Sequence, residues 1–259
     1  MSRNQWRTAI AQGSVDTIRI RGYDLRELIG RVSFAEAFLL LARGELPTQG
    51  EGRVLDAIFV SVIDHGIVPG SIVTRYLASA GSPIQAAVGG GILSIGDTYG
   101  GAGEQLGEAM AVQLAAIGRG ERDQEAAAAA IVAHFAALGL RVPGFGHPMH
   151  TQGDPRVARL MAVAEENGVA GQYCALARAV ESAIAAAKRR PIPMNIDGAV
   201  CAIGLDLGVQ PALMRALIMV PRSAGLAVHA VEEMQREPGW RHVPDDEVTY
   251  DGPPPRDMP

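Results

Sequence analysis

The sequence is poor in aromatic residues and cysteine, carries no excess of positive charge, and has no apolar run that approaches the length of a bilayer. Each scarcity removes a class of function. Aromatics make up 5% of the chain while apolar residues make up 48%, so alanine, leucine, isoleucine and valine dominate, a composition that favours close-packed helices over sheets. A formal net charge of −5 over 259 residues gives nucleic acid or an anionic membrane no electrostatic footprint, which leaves small-molecule chemistry as the expectation. The two cysteines, Cys174 and Cys201, stand in apolar, helix-forming surroundings and are expected to be small buried hydrophobes, neither disulfide partners nor nucleophiles. Residues Met1 to Arg7 lack the charged-then-apolar pattern of a secretory signal, so a cytoplasmic location and no membrane partner are expected. No G-x-x-x-x-G-K-[ST] loop is present, which removes support for nucleotide hydrolysis. At this length the chain buries a sizeable core in one domain, or in one domain carrying a smaller subdomain.

What is present is punctuated helix. Ser33-Phe34-Ala35-Glu36 and Thr48-Gln49-Gly50-Glu51 are capping-box patterns ahead of apolar-periodic runs. Further helices are expected at about 71–80, 84–94, 102–118, 122–138, 155–167, 170–189, 197–207 and 211–236. The alanine-rich stretch from Glu125 to Ala137 is a strong helix former. One segment reads as a strand: Thr17-Ile18-Arg19-Ile20-Arg21 alternates before Gly22, as a short hairpin arm does. The prolines of Asp251-Gly252-Pro253-Pro254-Pro255-Arg256 force an extended tail.

Three places carry chemistry-bearing residues. In Val142-Pro143-Gly144-Phe145-Gly146-His147-Pro148-Met149-His150 the glycines allow a backbone path that a Cβ resists and the prolines forbid a continuous helix, so His147 is presented on a loop. Asp154-Pro155-Arg156 then reads as an N-cap with proline at the first helical position, placing Arg156 in the first turn. An imidazole beside a guanidinium suits a carbonyl flanked by carboxylates, although a surface turn before a capped helix fits the same residues. His147 and His150 form an H-x-x-H pair, but no third ligand stands at suitable spacing and no metal is expected. Asp197, in Pro193-Met194-Asn195-Ile196-Asp197-Gly198, has apolar neighbours that would raise its pKa toward useful acid-base range; the alternative is a helix N-cap. Arg222, between Val220-Pro221 and Ala224-Gly225-Leu226, is expected to be buried, and a buried arginine wants an anion.

The chain as a whole resembles the citrate synthase superfamily, and within it the citryl-CoA lyase module of ATP-citrate lyase. The residues that carry this are Arg21-Gly22-Tyr23-Asp24-Leu25, Phe34-Ala35-Glu36-Ala37, Gly44-Glu45-Leu46-Pro47-Thr48, Asp64-His65-Gly66, Ser94 through Ala102, the His147 loop, Asn195-Ile196-Asp197-Gly198 and Arg222-Ser223-Ala224-Gly225. The resemblance implies an all-α fold with a large subdomain (1–102 and 202–259) and a small one (103–201) carrying the His147 loop and Asp197. It also implies a homodimer or higher homo-oligomer built on helices rich in small residues. It makes Asp197 and His147 catalytic, and His65, Arg156 and Arg222 binders of the oxaloacetate portion. Arg256, on the tail, becomes a candidate for delivery to a neighbouring protomer's site. Coenzyme A is implied as a thioester substrate and not a permanently bound cofactor, held by the backbone of Gly144, Phe145 and Gly146 with Arg189, Lys188 and Arg190 near its phosphates. The second partner is a 2-oxo acid.

One departure separates the chain from citrate synthases. Where they carry the histidine of an L-H-G-G-A motif, this sequence reads Asp97-Thr98-Tyr99-Gly100-Gly101-Ala102, and the lyase module has an aromatic residue at that place too, in I-G-D-R-F-G-G-A. Tyr99 is therefore expected near the enolate oxygen. This departure and the chain's shortness favour the lyase, which cleaves citryl-CoA to acetyl-CoA and oxaloacetate. The alternatives are a citrate synthase, a lyase for another carboxylated 3-hydroxyacyl-CoA, and an inactive partner subunit.

Overall fold

A computed structural model of the chain describes residues 6–146, 153–237 and 239–258. The described chain opens with a three-stranded antiparallel meander, β1 (Ala11–Gly13), β2 (Ile18–Ile20) and β3 (Tyr23–Asp24), in which Ala11 faces Ile20 and Arg19 faces Asp24. Only β2 has a sequence signature. Its neighbours are too short to alternate, and Gly22, at φ 91°, makes the turn that folds β3 back.

Helices follow: α1 (Leu25–Leu28), α2 (Phe34–Arg43), α3 (Gln49–Val62), α4 (Pro69–Ser79), α5 (Ile84–Leu93), α6 (Ala102–Gly118), α7 (Gln124–Ala137), α8 (Pro155–Glu166), α9 (Gln172–Lys188), α10 (Ile196–Asp206) and α11 (Ala216–Arg236). This is the all-α class expected from composition and periodicity. Both capping boxes form, with Ser33 and Thr48 accepting the Glu36 and Glu51 amides while those carboxylates bond back, each cap stabilising its helix by about 1 kcal/mol. Where one helix was expected over 211–236, a 3-10 turn, Pro211–Leu213, precedes α11. The segment Pro211–Arg236 does have the length of a bilayer-crossing helix, and its most apolar 18-residue window the mean hydropathy, 1.2, which the sequence reading passed over. Here a third of that window is buried, with Leu217, Leu226 and Ala230 inside together with the charged Arg222 and Glu233.

The chain divides into two packing units, residues Met1–His65 with Ile95–Gly225, and Gly66–Ser94 with Leu226–Pro259. Their boundaries differ from the subdomains expected from the sequence. The first unit is built around α10, which contacts α6, α8 and α9 and is buried from Gly198 to Leu205. A helix apolar on every side belongs at the centre of a core, and each fully buried Leu or Ile contributes about 1.5–3 kcal/mol. The polar residues of α10 sit at its ends. Asp206 accepts the amides of Gly171, Tyr173 and Cys174 and so caps α9, whose own N-cap is a glycine. Asp197 stands at the opposite end.

In the second unit α4 and α5 approach at backbone distance: a Cβ on Gly91 would lie 2.1 Å from Thr74 Oγ1 and 2.8 Å from the Gly70 carbonyl. Arg75 is buried there and fully paired, donating to Glu233 at 2.8 Å and Glu232 at 2.5 Å. Arg241 adds two more bonds to Glu233 and one from its amide to Ser79 Oγ, which pins the start of the C-terminal tail.

Candidate active site

Asp197 is positioned by the meeting of α10 with the Gly144–Gly146 loop. The loop runs antiparallel to residues 193–195: the Gly146 amide donates to the Pro193 carbonyl at 2.7 Å and the Asn195 amide to the Gly144 carbonyl at 2.9 Å. Gly144 and Gly146 have φ of 82° and 80°, the left-handed region that glycine alone enters without cost. Space decides as well, since a Cβ on Gly144 would lie 2.7 Å from the Gly198 Cα, and one on Gly198 would lie 2.4 Å from the Gly144 oxygen. The loop therefore rests on the first turn of α10 with no side chain between them. Asn195 is the N-cap, its Oδ1 accepting from the Asp197 and Gly198 amides, so Asp197 is not the cap that the sequence alternative allowed. It is half-buried in the first turn.

A second group of residues gathers at the C-terminus of α3, where the last carbonyls of a helix lack partners and carry the negative end of its dipole. Arg156 donates to the Ser61 carbonyl at 3.4 Å and Arg222 to the Val62 carbonyl at 2.9 Å. Asp154 caps α8 as expected, with Pro155 first in the helix. Its buried carboxylate also takes two bonds from the Arg156 guanidinium, at 3.0 and 2.7 Å. Arg222 is buried at 8% exposure, and among the described residues no ion pair joins it to a carboxylate. Its Nη1 donates instead to the Tyr99 phenol oxygen at 3.3 Å. His65 follows α3 directly, half-buried, its amide bonded to Asp64 Oδ1 at 2.9 Å. Gly225 lets α11 pass close by, because a Cβ there would lie 2.4 Å from the Ile63 carbonyl.

Tyr99 closes a tight turn in which Gly96 and Tyr99 exchange backbone hydrogen bonds at 3.0 and 3.1 Å. Arg215 ties the turn to α6 by donating to Asp97 and Glu104. Burial pushes the Tyr99 phenol above its ordinary range; Arg222 opposes this, while the nearby Asp197 and Asp64 carboxylates add to it. The phenol is thus neutral near neutral pH, and with its oxygen accepting from Arg222 its own proton is available to another acceptor.

A cavity of about 730 Å³ adjoins the loop, with Phe145, Gly146, Arg141, Lys188 and Arg190 among its lining. That size suits a cofactor-sized ligand. Another cavity, about 650 Å³, is lined by small residues of α9, Cys174 among them, together with Glu165 and Arg178, which pair with each other, and it contains none of the catalytic or binding residues expected from the sequence.

The structure thus brings Tyr99, Arg222, Asp64 and Asp197 together, and sets Arg156 and His65 beside the same helix end. His147, with His150, lies outside the described residues. Arg256 is exposed on the tail. Arg189 ends α9 in the left-handed conformation at φ 53°, and it is its neighbours Lys188 and Arg190 that line the cavity. The loop backbone has less to offer a ligand than expected, because the Gly144 carbonyl and the Gly146 amide are already bonded to 193–195. Sequence reasoning missed Arg141, whose only signal is its place just before the loop, and Asn195. Both cysteines are buried with their thiols pushed up by burial, which leaves them unsuited to nucleophilic work.

Comparison with known proteins adds four findings. A family model described as citrate synthase, C-terminal domain, matches residues 49–242. The curated protein "Putative citrate synthase 2" of Mycobacterium tuberculosis is 30% identical over 201 residues, covering 76% of this chain and 51% of that protein, so the chain spans about half the length of such relatives. Among solved structures, citryl-CoA lyase from Hydrogenobacter thermophilus is similar at a TM-score of 0.88 and 35% identity, covering 98% of this chain and 97% of that one. ATP citrate lyase from Methanothrix soehngenii, in complex with citrate and coenzyme A, shares the fold at a TM-score of 0.82 and 21% identity, covering 98% of this chain and 43% of that one.

Proposed function

The chain belongs to the citrate synthase family, and on that premise we propose that it is a citryl-CoA lyase, splitting citryl-CoA into acetyl-CoA and oxaloacetate by a retro-Claisen reaction. The observation that carries this reading is Arg222, a buried guanidinium with no described carboxylate partner, set against the neutral phenol of Tyr99. A buried arginine in that state needs an anion, and oxaloacetate supplies carboxylates. The likeness to a citryl-CoA lyase over nearly the whole of both chains supports the lyase over its relatives.

In the proposed reaction the tertiary hydroxyl of citryl-CoA loses its proton with help from His147 as the carbon–carbon bond breaks. The electron pair passes to the acetyl carbon, forming an enolate whose oxygen finds the Tyr99 proton, a backbone amide or water. Asp197 protonates the enolate carbon to give the methyl group of acetyl-CoA. Arg222, Arg156 and His65 hold the oxaloacetate portion. The 730 Å³ cavity receives coenzyme A, with Arg141, Lys188 and Arg190 facing its phosphates and Phe145 and Gly146 shaping the wall. Coenzyme A is a substrate component here, and no resident cofactor enters the scheme.

The proposal extends to assembly. α5 is apolar along nearly its whole length, yet only Ala87 and Gly91 are buried and Leu93 is 88% exposed. A helix with no polar face is covered in its working state, and a homodimer through α5 provides that cover. A cytoplasmic setting suits these substrates.

The test supplies citryl-CoA and, separately, oxaloacetate with acetyl-CoA, while free thiol and 2-oxo acid are followed. Cleavage in step with acetyl-CoA formation and little free thiol supports the lyase. Steady thiol release from oxaloacetate plus acetyl-CoA, at or above the cleavage rate, would make it a citrate synthase, the second reading, which the mycobacterial relative favours.

A further inference from the structure

We propose that Asn195 is a positioning residue that holds the wall of the coenzyme A cavity in register with the Asp197 carboxylate. The inference rests on the reading of Asp197 as proton donor and of the 730 Å³ cavity as the thioester's seat. Three groups of this one residue reach two different segments. Its Oδ1 accepts from the Asp197 amide at 3.0 Å and the Gly198 amide at 3.2 Å. Its Nδ2 donates to the Gly146 carbonyl at 2.7 Å, and its backbone amide donates to the Gly144 carbonyl at 2.9 Å. The Gly146 carbonyl belongs to the peptide bond that leads into His147, and Phe145 and Gly146 line the cavity.

Capping alone does not ask for asparagine, since serine, threonine and aspartate cap as well. Here the side chain must accept along the helix and donate to a carbonyl at the same time. An amide does both, a carboxylate has no proton to donate, and a serine hydroxyl is too short to span both places. The Gly144–Gly198 approach has no side chain in it to transmit a position, so the amide is the only side-chain link described between loop and helix start. Misplacing a reacting group by about 1 Å costs on the order of a hundredfold in rate, which is the scale of effect expected from cutting that link.

The experiment compares Asn195→Ser, which keeps a cap, with the parent enzyme and with Asp197→Asn. Citryl-CoA turnover, the coenzyme A dissociation constant, the melting temperature and amide hydrogen exchange of residues 144–146 are measured. In Asn195→Ser, kcat should fall about a hundredfold while KM, coenzyme A affinity and melting temperature stay close to the parent's, and exchange at Gly146 should quicken. Placed on top of Asp197→Asn, the same change should cost little more, because both act on one proton transfer. Turnover within twofold of the parent, or full multiplicative losses in the double variant, overturns the inference. So does unchanged exchange at Gly146, a readout that needs no activity. A parent protein inactive toward every substrate pair, with quickened exchange in Asn195→Ser, defeats the proposed function and leaves the link between loop and helix standing.

Discussion

Arg156 and Arg222 donate to consecutive carbonyls at the C-terminus of α3, those of Ser61 and Val62, yet only Arg156 has a carboxylate of its own. Asp154, with a side chain 0% exposed, neutralises it through two bonds. The resemblance gives the two arginines the same role. In the fold one is a paired charge held at the helix end, and the other is a positive charge kept buried without a described counter-ion.

Their substitutions should therefore differ. Arg222→Ala should weaken oxaloacetate binding by about 2–5 kcal/mol with little change in coenzyme A affinity or melting temperature. Arg156→Ala strips a buried carboxylate of its partner and should also lower the melting temperature, a stability cost of about 3–5 kcal/mol. Calorimetric titration of both ligands with thermal unfolding of both variants checks this; equal behaviour of the two would refute the distinction.

Asp197→Asn should lower citryl-CoA turnover by a factor of about 10² to 10⁴ while coenzyme A still binds, because the carboxyl acts in proton transfer. Asn195 supplies the cap, so the folded state should survive the change. Turnover near the parent's in a folded variant removes Asp197 from the mechanism.

Tyr99 contributes to the alkaline behaviour beside Tyr173 and the two buried thiols, which burial also pushes up. Its folded pKa lies above the ordinary 10.0, chiefly through burial. The stability associated with the neutral phenol is therefore fully present below pH 10 and is lost as pH rises from there through the higher folded value. Tyr99→Phe should make this limb of the stability profile shallower by the phenol's share, leaving that of Tyr173 and the buried thiols. If the phenol is the enolate's donor, cleavage should also fall about a hundredfold or more; a modest loss assigns that task to water or backbone. An unchanged alkaline limb in the variant would mean that other groups produce it.

Lys188 is the only lysine in the sequence and it lines the 730 Å³ cavity. An amine-directed acetylating reagent should therefore modify one side chain, and coenzyme A should protect it. Lys188→Ala and Arg190→Ala should each weaken coenzyme A binding a few-fold, roughly the value of an exposed ion pair, with the loss shrinking as salt is raised. Mass spectrometry showing acetylation at the same rate with and without coenzyme A would place the ligand elsewhere.

Helix boundaries were legible because their causes are local. The capping boxes at Ser33 and Thr48, Asp154 before Pro155, and the alanine run of α7 each act within one turn of the chain, and each element appears where its residues put it. The motifs around His65, Tyr99, Asp197 and Arg222 were legible too, as residue types in order. What the sequence by itself determined was the all-α class, the start of most helices and the residue types that stand on each loop. Tertiary structure alone decided that Asp206 caps α9, that Asn195 and not Asp197 caps α10, that Arg141 joins Lys188 and Arg190 around one cavity, and that Asp154 takes up the charge of Arg156 while Arg222 keeps its own. The physical reason is that hydrogen bonding and charge pairing act through a few ångströms of space. Asp206 reaches α9, and Arg141 reaches Lys188 and Arg190, across long stretches of chain, while Asn195 and Asp154 act on neighbours two residues away whose geometry only the folded helix starts settle.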